Sequence, residues 1–140
     1  MPIVTGTYAF APALGPDGSR VRRDGTTTDG WLIVRFDREV GRYLRHLYRL
    51  ASPAEAAISE PLWGPHVSIV QGEQPPNLQH WKDREGQPVE IEYAQDPRET
   101  DGYVYLPVAC EAALAYRELL GLPREPRWPL HLTIGNRKRG

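Results

Sequence analysis

The feature that most constrains this chain is a short pattern that occurs twice, each time at the end of a strand–helix–strand run. Trp63-Gly64-Pro65-His66-Val67-Ser68-Ile69 aligns with Trp128-Pro129-Leu130-His131-Leu132-Thr133-Ile134. In both copies Trp stands three residues before His, and an aliphatic residue follows the hydroxyl residue. The first unit runs from about residue 31 to 70, through a helix at Arg38–Leu50. The second runs from about 103 to 135, through a helix at Ala109–Leu120. Such a duplication implies two similar lobes, each offering one equivalent strand.

The local signals fill in the rest. Ile3–Phe10, Trp31–Phe36, His66–Val70, Val89–Tyr93, Tyr103–Val108 and His131–Ile134 read as strands from their β-branched and aromatic content. Asp37 is placed to cap the first helix, whose apolar stripe reads Val40, Tyr43, Leu44, Leu47 and Ala51. Ser52-Pro53-Ala54-Glu55 has the form of a capping box opening a further short helix. Ala109, Ala112, Ala113, Tyr116, Leu119 and Leu120 form the stripe of the second main helix, closed by Gly121 with Pro123 beyond it. Pro12–Asp29 is rich in Gly, Pro, Thr and Asp and reads as a long loop or irregular hairpin. Gln95–Gly102 reads as a turn region. The predicted fold class is α/β (α+β): a single domain over residues 1–140, with two pseudo-symmetric lobes of mainly antiparallel sheet. The helices lie outside and a central cleft lies between the lobes.

Side chains alternate along a strand. His66 and Ser68 therefore share a face, as do His131 and Thr133, while Val67, Ile69, Leu132 and Ile134 point the other way into the core. If the lobes face each other, two imidazoles and two hydroxyls line the cleft. An imidazole titrates near neutral pH, so one His can take a proton while the other gives one. Two hydroxyls can hold the non-bridging oxygens of a phosphate and stabilise charge there. That set suits cleavage of a phosphodiester without a metal or other cofactor. A His followed by apolar, Ser/Thr and aliphatic residues arises by chance roughly one time in a hundred. Two of the four His show it, so coincidence is a poor account.

The paired His-x-Ser/Thr motifs, each followed by an aliphatic residue, resemble those of the two-histidine (2H) phosphoesterase superfamily. The resemblance spans roughly Trp31 to Gly135. It implies two α/β lobes about a cleft and metal-free catalysis on a nucleotide or RNA-like phosphodiester. Members of that family act on 2′,3′-cyclic phosphates, 2′–5′ linkages, RNA 3′ ends, or cyclic oligonucleotide signals, the last including phage nucleases that defeat CBASS immunity. This chain departs from the pattern by Ser rather than Thr in the first motif, and Pro12–Asp29 matches no pattern of the family.

Composition narrows the partners. The chain has 140 residues and a formal net charge of -1, without the basic excess of a protein that coats duplex DNA or long RNA. A small nucleotide or a short RNA-like diester fits better. Tyr8, Trp63 and Trp128 are candidates to stack on a base, and Arg127 to meet phosphate. Arg137 and Lys138 are further basic candidates near the second motif. His46 and His80 read as surface residues. The lone Cys110 excludes an intrachain disulfide. Met1–Gly6 carries no signal-peptide pattern and no apolar run is long enough for a membrane span, so a cytoplasmic protein with no membrane partner is expected. A zinc site is disfavoured by the absence of His-Glu-x-x-His or Cys-x-x-Cys spacing, and a serine hydrolase by the absence of a Gly-x-Ser-x-Gly elbow. Two non-catalytic alternatives are a module that sequesters a nucleotide and an RNA-binding structural protein.

Overall fold

The computed structural model describes residues 1–52 and 57–137. Its elements, in chain order, are β1 (Ile3–Phe10), β2 (Trp31–Arg35), α1 (Arg38–Ala51), β3 (Ile58–Ser59) and β4 (His66–Gln71). A 3-10 turn (Leu78–His80) follows, then β5 (Pro88–Tyr93), β6 (Arg98–Thr100), β7 (Tyr103–Ala109), α2 (Glu111–Leu119) and β8 (His131–Arg137). The capping box beginning at Ser52 falls largely on residues outside those described, as does Lys138.

The eight strands form one antiparallel sheet that closes into a barrel. The ring runs β1-β2-β4-β8-β7-β5 and returns to β1, with β3 extending the β8 edge and β6 flanking β7. The sheet is thus continuous across the two sequence repeats. Within each repeat the connection is the same: β2 leads through α1 into an antiparallel partner, β4, and β7 leads through α2 into β8. The registers also correspond. Val34 opposes Val67 and Arg35 opposes His66; Leu106 opposes Leu132 and Pro107 opposes His131. The helices are exchanged in space, α1 lying against β8 and α2 against β4.

The apolar positions drive this closure. Leu32, Val34, Val67, Ile69, Ile91, Val104, Leu132 and Ile134 are almost wholly buried, and Leu44, Tyr48, Ala113, Tyr116 and Leu120 reach the same core from the helices. Each buried Val, Leu or Ile among them contributes roughly 1.5–3 kcal/mol. Gly6 lets β1 approach β2 closely, since a Cβ there would collide with the side chains of Val34 and Phe36.

α1 begins as its sequence directs, with the Asp37 carboxylate accepting from the Glu39 N–H at 2.8 Å. Its buried face, however, is Gly41, Leu44, Arg45 and Tyr48, and Tyr43 is exposed. The stripe is rotated because Gly41 abuts Pro65, just before β4, and because Arg45 is drawn inward to a backbone carbonyl. In α2, Arg117 is likewise fully buried while Leu119 is exposed. Strands β3 and β6 arise where the sequence predicts none; two and three residues are too few to show a period. Pro12–Asp29 forms an irregular hairpin, with Val21 bridged to Thr27 and Arg22 N–H bonded to Thr26 O. Among the described residues no helix is long and apolar enough to cross a membrane.

Candidate active site

The pairing of β4 with β8 brings the two motifs together. His66 opposes Thr133 and Val67 opposes Leu132. Directly opposed residues point to the same side of a sheet, so His66 and Thr133 share a face, and alternation adds Ser68 and His131 to it. The two imidazoles are diagonal neighbours across the strand pair, their residues about 7–8 Å apart by ladder geometry. All four residues line one cleft of about 920 Å³.

Both rings are held in the same way. His66 Nδ1 lies 2.8 Å from Gly64 O, and His131 Nδ1 lies 2.7 Å from Pro129 O. A carbonyl oxygen only accepts, so Nδ1 carries the proton in each neutral ring and Nε2 holds the lone pair. Gly64 adopts a left-handed φ of 67°, a conformation that suits glycine.

The surroundings of the two rings differ. His66 meets the edge of Trp63, 5.4 Å between ring centres, and Trp63 is tied to the hairpin by Nε1–H donation to Ala13 O at 3.1 Å. Burial therefore pushes the His66 pKa down from 6.5 to about 4, the Gly64 carbonyl opposing the shift and the charges of His131 and Arg35 adding to it. Solvent still reaches part of its surface from the cleft. His131 packs against Tyr105 at 5.0 Å, and its hydrogen bond to Pro129 O is exposed.

Of the aromatic candidates, Trp63 and Trp128 line the cleft. Tyr8 does not; it is buried against Tyr116, where burial pushes its pKa up to about 12. Its place on β1 alternates with exposed Thr7, which turns the ring into the core rather than to a ligand. Arg127 stacks on Trp128, 5.1 Å from its ring centre, and reaches the cleft only through that ring. Arg137 is bound to Glu99 and to the Tyr48 hydroxyl. His46 is exposed on α1, and His80 pairs with Asp83 at 3.0 Å; neither lines the cleft.

Several lining residues have no counterpart in the sequence reading. Trp31, Tyr103 and Tyr105 add aromatic surface, and Arg22 and Arg98 bring guanidinium groups beside the carboxylates of Asp24 and Asp101. Arg22 also covers the Trp31 ring at 5.4 Å. Gln71 and Asn136 lie in the cleft too. Each stands five residues after its histidine, a position that simple alternation sends to the opposite face. Among the described residues no group of three or more His, Cys, Asp or Glu side chains is placed to hold a metal ion.

No family model matches the chain, and no curated protein or solved structure is significantly similar to it.

Proposed function

We propose that this protein is a metal-independent phosphodiesterase acting on a nucleotide or short RNA-like substrate, with His66 and His131 as its acid–base pair. The observation that carries this reading is the shared face of β4 and β8. Two imidazoles with matching tautomers stand diagonally across it, each beside a hydroxyl residue from the other strand. We also read the closed sheet as two pseudo-symmetric lobes, β1-β2-α1-β4 and β5-β7-α2-β8, meeting at the cleft.

The unlike surroundings of the rings divide the work between them. His66, neutral at pH 7 because its pKa is depressed, is the general base. Its Nε2 takes the proton of the nucleophile, a ribose hydroxyl or a water, as that oxygen bonds to phosphorus. His131, in its protonated form, donates from Nε2 to the leaving oxygen as the P–O bond breaks. Ser68 and Thr133 donate to the non-bridging oxygens, where charge builds. Arg22 and Arg98, which line the cleft beside Asp24 and Asp101, offer guanidinium donors to a phosphate, while the net charge of -1 disfavours a long nucleic-acid track.

The test is cleavage of a panel in the presence of chelator: a 2′,3′-cyclic mononucleotide, 2′–5′ and 3′–5′ dinucleotides, and cyclic di- and trinucleotides. Wild type should cleave at least one member, and the member cleaved assigns the branch, including the cyclic signals of the anti-defence alternative. A wild type that binds a nucleotide and returns it intact would replace catalysis by sequestration.

A further inference from the structure

Both motif strands carry the same irregularity at the same place. On β4, Leu32 of β2 opposes Val70 but Ile33 opposes Ser68, so Ile69 has no partner. On β8, Val104 of β7 opposes Gly135 but Tyr105 opposes Thr133, so Ile134 has none. These are β-bulges, each three residues after its histidine. A bulge adds one residue to the strand and reverses the parity beyond it. Burial records the reversal: Ile69 and Val70 are both buried, as are Ile134 and Gly135, and the next residue turns to the cleft. That next residue is an amide in both strands, Gln71 and Asn136.

The bulges are held by paired devices. Arg117 on α2 donates to Ile69 O at 2.8 Å, and Arg45 on α1 donates to Ile134 O at 2.9 Å. Both arginines are buried, and burying a guanidinium is unfavourable unless its donors are used. Arg117 also forms a two-point pair with Glu73, at 2.7 and 2.9 Å. Twin bulges, each bonded by a buried arginine from the other repeat, fix where the two amides point.

Each amide keeps a carbonyl oxygen to which no group among the described residues donates. Gln71 Nε2 donates to Ser68 O and Trp128 O, both at 3.3 Å, which leaves Oε1 as its unused acceptor. Asn136 Oδ1 is buried with no hydrogen-bond partner, a state that is unfavourable by about 1–3 kcal/mol until a donor arrives. Because β4 and β8 are antiparallel, the amides lie toward opposite ends of the cleft. Each is about 15 Å along the strand from its own histidine.

We infer that Gln71 and Asn136 are the specificity-determining residues of this cleft. They accept hydrogen bonds from donor groups, ribose hydroxyls or exocyclic base amines, on the two nucleosides that flank a central phosphodiester. This rests on reading the cleft as a nucleotide site, and it names a diester with a nucleoside on each side as the ligand class.

The experiment measures binding in the His66→Ala/His131→Ala protein, so that cleavage plays no part. The probes are 3′–5′ guanylyl-guanosine, its two counterparts with inosine, which lacks the exocyclic amine, in place of one guanosine or the other, and its two counterparts with a single 2′-deoxyribose. Gln71→Met and Asn136→Leu should each weaken guanylyl-guanosine binding about tenfold. On each variant, removal of the matching donor from the probe should then have less than a twofold further effect, whereas the same removal weakens binding with both amides intact. The inosine arm identifies a base amine as the donor and the deoxy arm a ribose hydroxyl. If Asn136→Leu does not fold, Asn136→Ser carries the same comparison. Equal sensitivity to donor removal with and without the amides overturns the inference, and so does failure of every dinucleotide to bind. Donor-coupled binding by a protein whose wild type cleaves nothing would sustain the inference while the catalytic reading falls.

Discussion

The two halves of the cleft are built from one pattern and finished differently. In the first, His66 sits under Trp63, and the Pro12–Asp29 hairpin closes over that tryptophan through Ala13. In the second, Trp128 is exposed and His131 bonds Pro129 O in an exposed setting. The same strand register and the same Nδ1 contact thus carry two imidazoles of unlike environment, and burial is the main cause that drives the His66 pKa down. The lesson is that a duplicated motif supplies two equivalent groups, and the loops around it make them unequal. An acid–base pair needs one ring neutral and the other protonated, and unlike surroundings serve that division.

That comparison can be broken most severely by removing either ring. His66→Ala and His131→Ala should each lower the cleavage rate by at least ~10²-fold, measured on whichever panel member wild type cleaves. Near-full activity in one of them would mean that only one half does chemistry.

The supports of the halves should differ next. Arg117 uses its guanidinium on Ile69 O, Pro123 O and Glu73, so Arg117→Met should lower unfolding stability by about 3–5 kcal/mol. Arg45→Met, losing the bond to Ile134 O, should lower it by about 1–2 kcal/mol. Urea denaturation of the two variants decides, and equal losses would remove the asymmetry.

A pH effect on stability follows from His66. Its folded pKa of about 4 lies below the ordinary 6.5, so the unfolded chain binds the extra proton between those values. Stability is fully present above pH 6.5 and is lost as pH falls toward 4, by about 2–3 kcal/mol in total. His66→Gln should flatten that part of the curve. A slope that survives the substitution would place its origin elsewhere.

The smallest effect separates the tryptophans. Trp128→Ala should change stability by no more than about 0.5 kcal/mol, as for other exposed positions, while Trp63→Ala, losing ring contacts and a hydrogen bond, should cost about 1–2 kcal/mol. Thermal melts of both variants read the difference.

The six longer strands, the two main helices and the shared face of the four motif residues could be read from sequence because local period and strand parity decide them. Three other features could not. The closing of the barrel depends on β1 pairing with β5, a contact between distant segments with no local signature. The burial of Arg45 and Arg117 contradicts their residue type, and only the carbonyls they meet explain it. The amides at 71 and 136 were hidden by the parity rule itself, since a bulge between histidine and amide reverses the expected face. A trace did exist: Ile69-Val70-Gln71 and Ile134-Gly135-Asn136 continue the alignment of the two motifs, with paired apolar residues where a regular strand would alternate.

The most direct test of the central claim is the pH dependence of kcat/KM for cleavage in chelator, in wild type beside each single histidine variant. The account predicts a bell for wild type, with an acid limb near 4 set by His66. That limb should vanish from the residual activity of His66→Ala, and the basic limb from that of His131→Ala. A profile whose shape is unchanged when either histidine is removed would contradict it.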